Sequence, residues 1–568
     1  MSNLFRIITM LAVVVLTASV TFSQEKDELL NRHKESAVER SSISLEQARQ
    51  ITSPAYNYSS EYFTMIQVNV NDHGYNIIGD AANEPSIAVD YNDLNRMAIG
   101  WRQFDSVFDS FRQAGYGYTT DGGLSWIFPG VIDPGVFRSD PVLDSDSKGN
   151  FYYNSLTSQG NEFSCVVFKS SDGGATWDNG RYAYGGDKQW MTIDKTNGPG
   201  NGHIYAFWTY VYSICPPNAF VRSTNSGATF QPCTPLPGNP YWGTLAVAKN
   251  GDLFIGGISV GRDYVVIKST TAKDKNSNVT WSSVVPVDLN GTPPTFGGPN
   301  PSGLLGQTII AVDTSDTEHS GNVYLLASTN PRDNKDNLDV VFARSTNGGT
   351  SWEAPVRIND DNTLDSYQWF GTMSVASNGR IDVVWLDTRN YPGTYISELY
   401  YSFSTDGGIS WRDNIRLSEG FDPHIGWPNQ QKMGDYFDMI SDEDGVHLAW
   451  CGTFNNEQDV YYGRINTSVI VGIKDSEKII PNEFVLMQNY PNPFNPSTMI
   501  SYQLSANSKV SLKIYDVLGR EIATIVNKQL QPGEYEVEFN AEDLSSGVYY
   551  YRLEAGSYNH TKKMILLR

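Results

Sequence analysis

At 568 residues the chain is longer than one ordinary domain, and with 40% hydrophobic and only 18% charged residues it is not a disordered polyelectrolyte. The 41 Lys and Arg against 63 Asp and Glu leave a net charge of −22, which argues against nucleic acid or anionic lipid as a partner, because like charges repel. The 33 Tyr, 13 Trp and 50 Gly point to an all-β protein with many tight turns, and 4 Cys are too few for a disulfide scaffold.

The first 23 residues place Arg6 ahead of an apolar stretch, Ile7 to Leu16, and end in small and polar residues. That order predicts a secretory signal peptide over 1–23, since the stretch is shorter than the ~20 residues a membrane span needs. No other stretch is long enough, so the mature chain is expected to carry no transmembrane segment. Residues 24–56 are polar and charge-mixed and read as a mobile leader.

From 57 to 465 the chain repeats itself. One element ends in Ser/Thr-x-Asp/Asn-x-Gly-x-Ser/Thr-Trp. Its fullest copy is SSDGGATW, with Asp172 and Trp177. Further copies carry Asp121 and Trp126, Asn225 and Phe230, Asn347 and Trp352, and Asp406 and Trp411; a degraded one runs from Ser269 to Trp281. Each follows a β-branched or aromatic run, which predicts a hairpin turn: the Asp/Asn side chain caps it, Gly takes the positive φ, and the Trp packs back on its own sheet. Between these turns lie seven pairs of apolar strands, from SIAVDYNDLNRMAIGW to MISDEDGVHLAW. A repeat of about 50–70 residues with this content predicts the blades of a β-propeller, seven in number, with six as the alternative. The seventh unit has no such turn after DVYYGRI, so the run Phe63 to Val70 is expected to supply its missing outer strand and close the ring. Cys215 and Cys233 flank the third strand and turn of one unit and are a candidate disulfide, whereas Cys165 and Cys451 fall in different units and should stay free. A linker over 466–481 leads to a second domain, 482–568, whose alternating strands and Gly/Pro turns predict a small Ig-like β-sandwich.

The recurring turns resemble the Asp-box, or BNR repeat, of the sialidase superfamily. That resemblance implies a propeller with the boxes on the face opposite any active site. The segments NYPNPFNP (Asn489 to Pro496), IYDVLGRE (Ile514 to Glu521) and SSGVYYYRL (Ser545 to Leu553) resemble the type A sorting domain of type IX secretion cargo from Bacteroidetes-like bacteria. This second resemblance implies the type IX machinery as a partner and a secreted or outer-membrane-surface location.

Sialidases bind the sugar carboxylate with three Arg and use a Tyr/Glu pair and an Asp for the chemistry. The family's Arg-bearing motif before the first blade is replaced here by Asn83-Glu84-Pro85, so the resemblance does not carry the Arg triad onto this chain. Reading the residues ahead of each inner strand, with their flanks and the loops after the second strands, gives a candidate ligand site at the central mouth. It comprises Glu84, Arg102, Arg138, Asp140, Lys188, Trp190, Trp242, Gln307, Trp369, Arg389, Asp435 and Tyr436. Such a set suits a saccharide; equally, the charged members could pair among themselves around a channel. Asp387 and Arg389 read as a local salt bridge, and the runs DSDS and SDEDG as solvated turns rather than calcium loops. The 7 His have no metal spacing, and neither metal nor cofactor is implied. Two functions follow as expectations: an exported propeller that binds a glycan or protein, or a glycoside hydrolase of the sialidase-like class, exo-α-sialidase or a relative.

Overall fold

Short alternating runs such as MAIGWRQF and ELYYSFS bury one face against each neighbouring sheet, which is why nearly all the regular structure is strand. The computed structural model describes residues 49–159, 162–294, 297–333, 336–467, 470, 484–530, 533–542, 544–556 and 558–567. The expected signal peptide, leader residues 24–48 and most of the linker lie outside them. The chain divides into two compact units, Met1–Ile470 and Val471–Arg568.

In the first unit the described residues form seven antiparallel sheets, besides a two-stranded ribbon of Thr52–Pro54 with Tyr75–Ile77. Their inner strands are Ala81–Val89, Ser139–Ser145, Trp190–Ile193, Leu245–Val247, Ile309–Val312, Gln368–Val375 and Asp438–Ser441. Each inner strand lies against the next and the seventh against the first, the arrangement of a β-propeller. The seventh sheet takes its fourth strand from the N-terminal segment: Phe63–Gln67 pairs antiparallel with Asp459–Asn466, in the register Phe63 to Ile465. The edge that would otherwise be open is thereby paired, as the missing turn predicts.

In six of the seven inner strands one backbone N–H is met by a side chain from the preceding sheet, which satisfies a donor that the sheet's own pairing leaves over. Ser86 Oγ accepts from Leu143 N at 2.9 Å, Asp144 Oδ2 from Ile193 N at 2.8 Å, and Thr244 Oγ1 from Ile310 N at 2.9 Å. Ser328 Oγ accepts from Gly371 N, Ser374 Oγ from Ser441 N, and Asp438 Oδ2 from Ile87 N at 3.1 Å. Asp144 is therefore a buried part of an inner strand, not a solvated turn residue. Asp146 of the same run is buried too, accepting from Lys148 N, Asn150 and the Tyr152 hydroxyl.

The Asp-boxes are built as expected. Asp172 Oδ1 accepts from Ser170 Oγ at 2.8 Å and Thr176 N at 3.0 Å, and Gly174 N donates to Ser170 Oγ at 2.9 Å. The aromatic ring, however, reaches across to the preceding sheet. Trp126 packs on Tyr462, Trp281 on Phe220, and Trp411 on Phe342, with centroids 5.0–5.3 Å apart. Trp177 makes edge-to-face ring contacts with both its own sheet, through Tyr153, and the one before, through Tyr116. In boxes that carry a second glycine, it lets the turn approach the same ring: a Cβ on Gly123 would meet Tyr462 at 2.3 Å, and one on Gly408 would meet Phe342 at 2.4 Å. Each box is thus an inter-sheet staple. Cys215 and Cys233 form the expected disulfide, with Cα atoms 6.5 Å apart, while Cys165 and Cys451 are free and buried.

In the second unit a three-stranded sheet (Val485–Leu486, Ser497–Leu504, Gly533–Asn540) and a four-stranded one (Glu521–Leu530, Ser508–Tyr515, Gly547–Ala555, Tyr558–Leu566) form a β-sandwich. Ile500, Leu512, Tyr551 and Leu566 lie in its core.

Candidate functional site: the ring where the inner strands begin

A positive φ recurs at or near the start of every inner strand. Glu84, Asp140, Lys188, Trp242, Gly306, Phe370 and Gly434 all have positive φ, between 45° and 141°. Five of the seven carry side chains, at a cost of roughly 1–3 kcal/mol each. The kink turns the backbone out of its own sheet toward its neighbour. Thr308 N donates to Trp242 O at 3.0 Å, and Phe370 N to Leu305 O at 2.9 Å. Lys188 N donates to Asp140 Oδ2 at 3.1 Å.

Inside this ring sits a buried charge cluster. Arg102 Nε lies 3.1 Å from Glu84 Oε2, and Lys432 Nζ lies 3.4 Å from Glu84 Oε1 and 2.8 Å from Asp435 Oδ2. Lys188 pairs directly with Asp435 and lies 3.9 Å from Asp140. Leu304 N closes the remaining Asp435 oxygen at 2.7 Å. Burial works against the Asp435 carboxylate, but Lys188 and Lys432 outweigh it and hold the group well below the usual carboxylate range. Burial wins at Glu84 and Asp187, whose affinities for a proton are raised despite the nearby cations.

Two loops bring in partners with no repeat signature. Lys432 rides on the segment leading to the seventh inner strand, and Asn300 on the segment before the fifth. Asn300 accepts from Met433 N at 2.9 Å and donates to Gly434 O at 2.8 Å. The first of these loops also crosses to the first sheet, where Asn429 N donates to Asp109 O and Arg102 donates to Gln430 Oε1. The expected mouth is filled by the chain itself: Glu84, Arg102, Asp140, Lys188 and Asp435 come together, all buried.

Of the other candidates, Tyr436 stands beside the cluster, close to Glu84 and Asp140, and Trp242 is one of the ring's positive-φ residues; the rest make contacts of their own. Arg138 pairs with Asp133 at 2.6 Å and covers the Phe168 ring. Trp190 and Tyr436 pack edge to face at 5.1 Å, and the Tyr436 hydroxyl donates to Pro141 O. Trp242 packs on Tyr241, Trp369 donates from its indole to Ser397 Oγ, and Gln307 is buried with both amide atoms lacking a hydrogen bond. Arg389 makes the expected pair with Asp387, at 2.7 Å, and also holds Asp360. Toward the Asp-box end the seven inner strands surround a channel of about 700 Å³. Its wall carboxylates, Asp144 and Asp438, are those that cap the neighbouring inner strands. No group of three or more His, Cys, Asp or Glu among the described residues is placed to hold a metal ion.

Sequence reading also missed an aromatic row at the entry end. Tyr367 and Tyr395 lie edge to face at 5.8 Å, Tyr395 and His424 are 4.8 Å apart, and His424 and Trp427 are 4.9 Å apart. The four come from three different loops. Tyr395 is 38% exposed and the others partly so. His424 Nε2 lies 3.2 Å from Gly298 O, and the Trp427 indole is held by Pro423 O.

Residues 488–567 match the family described as Secretion system C-terminal sorting domain. The chain is type IX secretion cargo, exported to the cell surface or released, and its C-terminal domain engages that machinery. No helix among the described residues is long and apolar enough to cross a membrane. No curated protein matches the chain. Similar solved structures include a protein of unknown function from Dyadobacter fermentans, 14% identical with TM-score 0.41, covering 72% of this chain and 98% of that one. A Hadza microbial sialidase, Hz136, is 14% identical with TM-score 0.36, covering 66% and 77%. PorZ, a surface component of the type IX secretion system of Porphyromonas gingivalis, is 12% identical with TM-score 0.27, covering 91% and 75%. The sheet topology, rather than these distant likenesses, defines the fold.

Proposed function

We propose that the exported propeller is a binding module that takes a saccharide on the aromatic row of its entry end, and is not a hydrolase working at its centre. The observation that carries this reading is the run of adjoining rings Tyr367, Tyr395, His424 and Trp427 on surface loops. Aromatic faces match the C–H faces of sugar rings, and the Asp422 carboxylate, which accepts from His424 N, can take a hydroxyl hydrogen bond beside them. The central carboxylates are poor candidates for glycoside chemistry. A glycosidase needs one acid and one base free to flank a bond, and Asp435, Asp140 and Glu84 are buried and engaged by Lys188, Lys432 and Arg102.

The test is a glycan array probed with the exported chain, together with an assay on aryl sialosides. The expected result is binding to at least one glycan class without turnover. Turnover that disappears in Arg138→Ala or Arg389→Ala would overturn the reading and make those residues carboxylate binders. An array with no bound glycan would overturn it in favour of a protein ligand.

A further inference from the structure

The sorting domain holds two large apolar side chains in solvent on a turn built to keep them there. Strands Ser508–Tyr515 and Glu521–Leu530 pair as a hairpin whose tip is Asp516-Val517-Leu518-Gly519-Arg520. Val517 is 65% exposed and Leu518 is 75% exposed. The turn itself is tightly organised. Asp516 Oδ1 accepts from both Leu518 N and Arg520 N at 2.9 Å, and Asp516 Oδ2 accepts from Arg520 Nε at 2.7 Å. Gly519 N donates to Asp516 O at 3.0 Å, and Asp516 N to Arg520 O at 3.0 Å. Gly519 supplies the positive φ of 76° that the turn requires, with open space where a side chain would stand.

Polar residues would serve the turn equally well, and exposing Val and Leu forgoes about 1.5–3 kcal/mol of burial for each. The folded unit gains nothing from this pair, which charged groups flank: in the hairpin Lys513 pairs with Glu521 at 2.8 Å, and Arg552 of the adjoining strand covers Tyr515, with Ile522 the next exposed apolar residue. Paired apolar side chains on a rigid tip, ringed by charges, are the form of a small anchor that enters an apolar pocket on a partner.

We infer that the Val517–Leu518 tip is the contact by which the type IX secretion machinery engages this cargo, the tip inserting into an apolar pocket of the receptor. This rests on the sorting-domain match over 488–567, which requires such a partner but names no contact. The charged rim would orient the docking, while the two aliphatic side chains provide the affinity.

The experiment places the full chain in a bacterium that secretes by the type IX route and measures its distribution between periplasm and exterior. Val517→Asp with Leu518→Asp should cut the exported fraction at least tenfold, with periplasmic accumulation, while the purified chain keeps its melting temperature. Should the charged pair unfold the domain, Val517→Ser with Leu518→Ser gives the same readout in a milder form. Export of a folded double variant at the wild-type level would overturn the inference. A second arm carries Thr524→Asp, farther along the same hairpin, and should export normally. Loss of export there as well would make the hairpin's general charge, not its tip, the determinant. If deleting 484–568 leaves export unchanged, the sorting assignment itself fails, and that result is distinct from failure of the tip.

Discussion

At the Asp-box end of the propeller the same residue types return in sheet after sheet, whereas at the entry end a positive φ returns on seven residues of six different types. Asp121, Asp172, Asn225, Asn347 and Asp406 all cap their turns by the same hydrogen bonds, because the turn dictates the chemistry. Glu84, Asp140, Lys188, Trp242, Gly306, Phe370 and Gly434 share only the sign of φ. One end is therefore a repeated structural device. The other is an irregular assembly in which opposite charges from different sheets meet once, at the centre.

Both ends hold the ring together, and variants should separate their contributions. The largest effect is expected at the closure. Deleting 63–70 removes the strand paired to Asp459–Asn466 along with the buried Phe63 and Met65, each worth about 2–5 kcal/mol, and the propeller should lose its cooperative thermal transition. A deletion variant that melts like the wild type would contradict the closure.

Next comes the charge cluster. Asp435→Asn leaves Lys188 and Lys432 buried without their shared carboxylate, and denaturant unfolding should show a loss of about 3–5 kcal/mol. At the opposite end, Gly123→Ala meets both a φ of 86° and the Tyr462 ring. It should cost about 2–3 kcal/mol, a local effect on one staple. Equal losses in the two variants would erase the distinction between a single central knot and a set of parallel staples.

The closure also has a pH dependence. Asp80, Glu457 and Asp459 lie where the N-terminal segment meets the seventh and first sheets; burial raises all three, Asp459 to about 7. Their partners are mostly neutral: Gln103 donates to Asp80, Asn76 to Glu457, and Asn69 to Asp459, while Asp105 adds repulsion and Arg49 is the nearby cation. A folded affinity for protons above the unfolded value stabilises the fold most below about pH 4, and the benefit is lost as pH rises through about 7. The melting temperature should fall across that window, and Asp459→Asn should flatten the fall. An unchanged slope in that variant would remove Asp459 from the account.

The legible parts of the sequence were those where local chemistry repeats or a free edge must be paired. The Asp-boxes, the N-terminal closing strand and the Cys215–Cys233 bridge are of this kind. Glu84, Asp140, Lys188 and Asp435 could be found because they lie in the first half of an inner strand or just ahead of one. Lys432 and Asn300 could not, since they reach the centre from long loops that no periodicity marks. The aromatic row was hidden for the same reason: Tyr367, Tyr395 and the His424/Trp427 pair come from separate loops and adjoin only in the folded ring. Burial was also out of reach, because a ring of charges reads alike whether it faces solvent or itself.

The division of labour at the entry end is tested most directly by glycan affinity measured on two variants, each corrected for its folded fraction. Tyr395→Ala with Trp427→Ala should lose binding at least tenfold with little change in melting temperature. Asp435→Asn should be much less stable yet bind normally when folded. The reverse outcome, with affinity lost in folded Asp435→Asn and kept in the aromatic double variant, would make the central cluster the ligand site and contradict the account.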